Sequence, residues 1–242
     1  MVRRVIFHFP SREHVCAIME PTFDETQLRF EHPFSMQLAG NRRTGKTQFT
    51  KELLLKNREL VAPELDVIVW FYGTPQQDVF AELTNALQAR QQRIEFVHGL
   101  PTDGSKLQDV IGEHAGRKLI VLDDLMEKAS NRADVAALFT HGRHEDVSVI
   151  FLTQNLFHKS KYARDMSLNS DYMVLFKNPR DASMITHLGA QMGNAEFLKQ
   201  AYRDATKEPF THLMIDLRSH TPDTLRYRSN VLEDTQVVYQ PQ

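Results

Sequence analysis

Gly40-Asn41-Arg42-Arg43-Thr44-Gly45-Lys46-Thr47 fits the pattern GxxxxGK followed by Ser or Thr, the arrangement by which a short loop holds a polyphosphate. Glycines at both ends let the backbone turn so that its N–H groups converge on phosphate oxygens, and a helix starting at the lysine adds its partial positive end. In this reading Gly40 to Gln48 contact the nucleotide, Lys46 reaches the β- and γ-phosphates, and the Thr47 hydroxyl ligates Mg²⁺. Arg42 and Arg43 stand where small residues are usual. Two long cations there could rest on the nucleotide, face a neighbouring copy or point to solvent, and solvent is the first choice.

A second group of chemically apt residues lies downstream. Lys118-Leu119-Ile120-Val121-Leu122-Asp123-Asp124 is an apolar run that ends on two carboxylates. If the run is a strand, the carboxylates emerge at its C-terminal end, where α/β sheets bind ligands. Asp123 is then the residue to hold Mg²⁺, and Asp124 the one to orient and deprotonate the attacking water. The next apolar run, Val147 to Thr153, leads into Gln154-Asn155, and Gln154 is placed to hydrogen-bond the γ-phosphate or that water. The cofactors expected are ATP and Mg²⁺. His141 and His144 could share a helix face, but with no third ligand nearby they read as ordinary helix-end histidines.

These groups work only if strands and helices bring them to one edge. The spacing predicts strands over 34–39, 66–71, 94–97, 118–122, 147–153, 172–176 and 212–217. Helices are predicted over 46–60, 76–91, 107–114, 132–140, 182–188 and 195–205. Alternation of short apolar strands with helices is the signature of a mostly parallel sheet covered by helices. The expected fold class is therefore α/β: one P-loop NTPase domain over residues 1–232 with its core in 28–218. Residues 233–242 read as a loosely held tail.

Bulk properties agree with one folded domain. The 242 residues, 41% hydrophobic and 25% charged, suffice for a single sizeable core. No apolar stretch approaches the run of about 20 residues that a spanning helix needs, so no membrane span is expected. The two N-terminal arginines precede too few apolar residues for a signal peptide, and Cys16 is the only cysteine, which suits an intracellular, reducing setting. A net charge of -2 gives no global basic field, so any contact with DNA must come from local patches or from several copies acting together. Lys159, Lys161 and Arg164 form one such candidate patch, with a solvated loop as the plainer reading.

With these pieces placed, the chain resembles the genome-packaging ATPases of the FtsK-HerA superfamily, in the branch found in Maverick/Polinton elements, adintoviruses and large DNA viruses including poxviruses. The blocks that carry the resemblance are FEHPFSMQLAGNRRTGKT, VWFYG, IEFVHGLP, KLIVLDDLM, LFTHGRHEDVSVIFLTQNLF, SLNSDYMVLFKNPRD, AYRDAT, THLMIDL and LRYRSNV. They occur in family order and cover most of residues 28–232. The resemblance implies a RecA/FtsK-like fold and an ATP-driven translocase that packages double-stranded DNA, assembled as a homo-oligomeric ring at a capsid portal or vertex, with no separate helicase or nuclease domain. It places the protein at a viral assembly site in the host nucleus or cytoplasm, with association to the virion also open. It further implies an arginine finger from a neighbouring subunit. Arg180 is the first candidate because it follows a predicted parallel strand, with Arg164 second and Arg143 third. The chain departs from the family at Arg42-Arg43-Thr44 and at Gly142-Arg143-His144-Glu145, where Polinton-type members often read Ser-His-His.

Two other functions use the same loop. A P-loop kinase would transfer the phosphate to a small acceptor, and a nucleotide-dependent assembly switch would bind ATP without sustained turnover. No arginine-rich lid insertion is visible for the first, and Asp124 with Gln154 argues against the second.

Overall fold

A computed structural model describes residues 2–8, 28–101, 107–156, 159–179 and 182–241. The strands are β1 (Val2–His8), β2 (Phe30–Glu31), β3 (Ser35–Ala39), β4 (Val61–Ala62), β5 (Val67–Tyr72), β6 (Arg93–His98), β7 (Lys118–Asp123), β8 (Val147–Thr153), β9 (Tyr172–Phe176), β10 (His212–Asp216), β11 (Tyr227–Ser229) and β12 (Thr235–Pro241). The helices are α1 (Lys46–Leu55), α2 (Asn57–Leu60), α3 (Gln77–Gln88), α4 (Leu107–Gly112), α5 (Met126–Ala129), α6 (Ala133–His141), α7 (Ala163–Leu168), α8 (Ala182–Gln191) and α9 (Ala195–Ala205).

Among the described residues, ten strands form one sheet in the order β1-β12-β11-β10-β9-β3-β8-β7-β5-β6, and β2 pairs with β4 apart from it. From β9 to β6 every neighbour is parallel, whereas β10, β11, β12 and β1 extend the sheet antiparallel. Buried on both faces, the parallel strands carry apolar residues at nearly every position. Their alternation sorts the core in two. Met36, Leu38, Ile68, Trp70, Leu119, Val121, Ile150 and Leu152 face one layer with Phe49, Leu53 and Leu54 of α1 and Leu83 and Leu87 of α3. The intervening Val69, Phe71, Ile120, Leu122, Val149 and Phe151 face α4 to α7. Met173, Leu175, Leu213 and Ile215 continue that second layer under α8 and α9.

Three expectations need correction. The helix expected over 46–60 breaks at Lys56, whose backbone N–H closes α1 on Glu52 and Leu54. That arrangement lets Asn57 turn inward and bond Gln92 and the Leu54 carbonyl. A short helix, α5, follows the two aspartates.

The strand at 212–217 is not the last, because β11 and β12 follow it. Residues 235–241 are also no loose tail: β12 pairs along its length with β1 and three of its residues pair with β11. Val238 and Tyr239 are buried there. A hydrogen-bonded ladder to the opposite end of the chain outweighs the local polarity that suggested fraying. Buried Asp216 steadies the extension by accepting hydrogen bonds from Arg218 Nε (3.0 Å) and Nη2 (2.7 Å) and from Arg228 Nη2 (3.4 Å). No helix among the described residues is long and apolar enough to cross a membrane.

Candidate functional site

The parallel register brings the strand ends into line. Ala39 pairs with Thr153, Leu122 with Phe151, Tyr72 with Asp123, and Leu175 with Ala39. The loop 40–45, Asp123, Gly73 and Gln154 therefore meet at one edge, above the start of α1. Gly40 is enclosed between β9 and its own loop: a β-carbon there would lie 2.7 Å from Phe176 Cβ and 2.8 Å from Thr44 Oγ1. No other residue fits. Gly45, with φ 103°, and Arg43, with φ 60°, take the left-handed turns that bring the chain round into the helix. Arg42 and Arg43 are both exposed.

Lys46 Nζ folds back to donate to the carbonyls of Gly40 (2.6 Å) and Asn41 (2.8 Å). Burial lowers its pKa, against the opposing pull of Asp123 and Asp124. Asp123 lies on the α1 side of β7, in step with Leu119 and Val121. Thr47 Oγ1 donates to its carboxylate at 3.2 Å, and Gln76 Nε2, just before α3, donates to the same oxygen at 3.2 Å. Burial pushes the Asp123 carboxyl up to about 6, with Asp124 adding to the rise and the Thr47 hydroxyl and Lys46 resisting it. A carboxylate 6% exposed and met by neutral donors is short of countercharge. This donor set fits a divalent cation held by Asp123 and Thr47, with phosphate and water oxygens completing the shell as Mg²⁺ prefers. Among the described residues no cluster of three or more His, Cys, Asp or Glu could hold a metal.

Asp124 differs from its neighbour in every respect. It is exposed, has φ 55°, and accepts a 2.5 Å hydrogen bond from Thr74 Oγ1. The left-handed turn points it out of the β7 line and lays its carbonyl against Gly73, where a β-carbon would sit 2.3 Å from that oxygen. Asp and Asn tolerate this conformation better than other side chains. Gln154 follows β8 at the same edge, half-buried, with its N–H on Met126 Sδ at 3.3 Å. Asn178, after β9, bonds Asn41 Nδ2 at 2.9 Å and so ties the loop to the neighbouring strand end.

The arginine candidates separate. Arg180 lies outside the described residues. Arg164 is exposed on α7 and lines a groove with Leu168 and His187. Arg143 sits before β8, at the edge opposite the phosphate loop, and is paired there with buried Asp171. That carboxylate also accepts from the Ser35 N–H (2.8 Å) and Oγ (2.9 Å). Arg143 thus secures the starts of β3 and β9.

Gln76, Thr74 and Asn178 escaped the sequence reading. The available signal was positional: each follows a parallel strand at its C-terminal end, where ligands bind.

The profile described as Poxvirus A32 protein matches residues 20–178, well over half of the chain. No curated protein matches it. Among solved structures, the genome packaging NTPase B204 from Sulfolobus turreted icosahedral virus 2, in complex with ATP-gammaS, superimposes with a TM-score of 0.51 at 15% identity. The superposition covers 78% of this chain and 94% of that one. The likeness extends the α/β architecture seen here to a protein with very few residues in common.

Proposed function

Because the chain belongs to the family of the poxvirus A32 protein, we propose that it is an ATPase motor that hydrolyses ATP to drive double-stranded DNA into a viral capsid, working as a ring of identical copies. The observation that carries this reading is the convergence of Lys46, Thr47, Asp123 and Asp124 on one sheet edge, with Thr47 and Asp123 already in contact at 3.2 Å. The likeness to B204, a genome packaging NTPase in complex with ATP-gammaS, supports both the nucleotide and the packaging role.

The chemistry follows from the residues. Phosphate oxygens replace the Gly40 and Asn41 carbonyls as partners of Lys46 Nζ, which turns a structural tether into a charge clamp. Asp124, exposed and backed by Thr74, accepts a proton from water as its oxygen attacks the γ-phosphorus. The bond to the β–γ bridging oxygen breaks, and ADP and phosphate leave. Thr47 and Asp123 would hold Mg²⁺, which would supply positive charge against the triphosphate. Gln76 keeps the Asp123 oxygen aligned, and Gln154 hydrogen-bonds the γ-phosphate or the water. An arginine from the next copy completes the site, with Arg180 the first candidate, Arg164 the second and Arg143, which pairs with Asp171 within its own copy, the third. DNA and capsid or portal-vertex proteins are the partners of this motor, at an intracellular viral assembly site.

Phosphate release measured with and without duplex DNA tests the proposal, with Lys46→Ala as the inactive control. Turnover that rises with duplex DNA, and steeply with protein concentration, is expected. Turnover indifferent to DNA, with phosphate appearing on a small acceptor instead, would overturn it.

A further inference from the structure

Phe210 is 71% exposed and holds φ 66°. An aromatic side chain in the left-handed region is a genuine backbone outlier, and such strain concentrates where a ligand is gripped. Its position is the second observation. A β-carbon placed on Gly45 would lie 3.5 Å from Phe210 Cβ and 3.6 Å from its Cδ1, so the ring stands directly against the phosphate loop. Phe210 precedes β10, which runs antiparallel to β9 and begins opposite Phe176. The residue is thereby delivered to the nucleotide edge.

The third observation is what occupies the other flank. In the sheet order, the metal and water groups Asp123, Asp124, Gln76 and Thr74 come from β7 and β5, on one side of β3. Phe210 comes from the opposite side, beyond β9. A nucleotide whose terminal phosphates face Asp123 and Asp124 runs its base toward the β9–β10 side. The segment carrying Phe210 is held from behind: Thr211 Oγ1 donates to the Glu208 carbonyl (2.8 Å), Lys177 Nζ to the Lys207 carbonyl (3.4 Å), and the His212 ring is wedged between Phe49 and Phe176. Among the described residues, no aromatic ring packs on Phe210 itself.

We propose that Phe210 is the stacking platform for the nucleobase of the bound nucleoside triphosphate. This inference rests on the assignment of loop 40–47 to the triphosphate. A base laid on the ring covers the exposed face of Phe210, and stacking of this kind is sequence-tolerant because every base presents a π-face.

Binding of ATP and of tripolyphosphate, each with Mg²⁺, to the protein separates the two assignments. Phe210→Gly removes the ring and relaxes the left-handed φ, so it melts no lower than the wild type. It is expected to weaken ATP about tenfold or more and to leave tripolyphosphate within about twofold. Phe210→Trp keeps ATP affinity. If Phe210→Gly weakens ATP and tripolyphosphate alike, or neither, the platform is refuted while the phosphate site stands. If the wild type binds neither compound, the phosphate-site assignment falls and the platform with it.

Discussion

Replacing His212 with phenylalanine is expected to make the fold less sensitive to acid. The His212 ring packs edge-on to Phe49, centroids 4.8 Å apart, and tilted against Phe176 at 5.5 Å. The residue as a whole keeps some accessible surface, but its Nε2 is enclosed and without a hydrogen-bond partner. Burial alone lowers its pKa from 6.5 to about 4. The sign follows directly. Between these values the unfolded chain binds a proton that the folded protein refuses, so stability is full above about pH 6.5, falls as pH drops toward 4, and levels below that. At 1.36 kcal/mol per pH unit, the two units from 6.5 to near pH 4.5 remove about 2 to 3 kcal/mol. Urea unfolding of wild type and His212→Phe near pH 7.5 and near pH 4.5 measures this. The wild type is expected to lose about 2 to 3 kcal/mol more than the variant over that interval. His32, also lowered by burial, titrates in both proteins and cancels in the difference. Parallel losses in the two proteins would refute the claim that the His212 ring is held neutral.

Two further outcomes bear on the site and its support. Asp124→Asn keeps a residue tolerant of the left-handed turn but loses the proton acceptor, so kcat is expected to fall about a hundredfold or more while ATP affinity stays within about twofold; single-turnover hydrolysis at wild-type rate would remove Asp124 from its role. Asp171→Ala strands the buried Ser35 N–H and is expected to cost about 3 kcal/mol in chemical denaturation. Arg143→Ala, whose side chain is 62% exposed, is expected to cost under about 1 kcal/mol and to keep its turnover. A loss of turnover without loss of stability in Arg143→Ala would instead mark that residue as the arginine finger.

Local chemistry made much of this protein readable from its sequence. The phosphate loop, the apolar run ending on Asp123-Asp124 and the strand before Gln154 are each contiguous, so spacing and residue type were enough to mark them. The parallel strands were legible for the same reason, since burial on both faces leaves an apolar run that polar neighbours bound. Tertiary structure decided whatever depends on contact between distant segments. β12 becomes a strand because β1 pairs with it from the far end of the chain. Gln76 enters the site because β5 ends level with Asp123, and the two aspartates divide because one stays in the β7 line while the other turns left-handed against Gly73. Arg143 is committed to Asp171 by the meeting of two strand starts. Phe210 reaches the phosphate loop because β10 runs back along β9. Such pairings carry no local signature: they arise from strand order and register, which only the folded sheet sets.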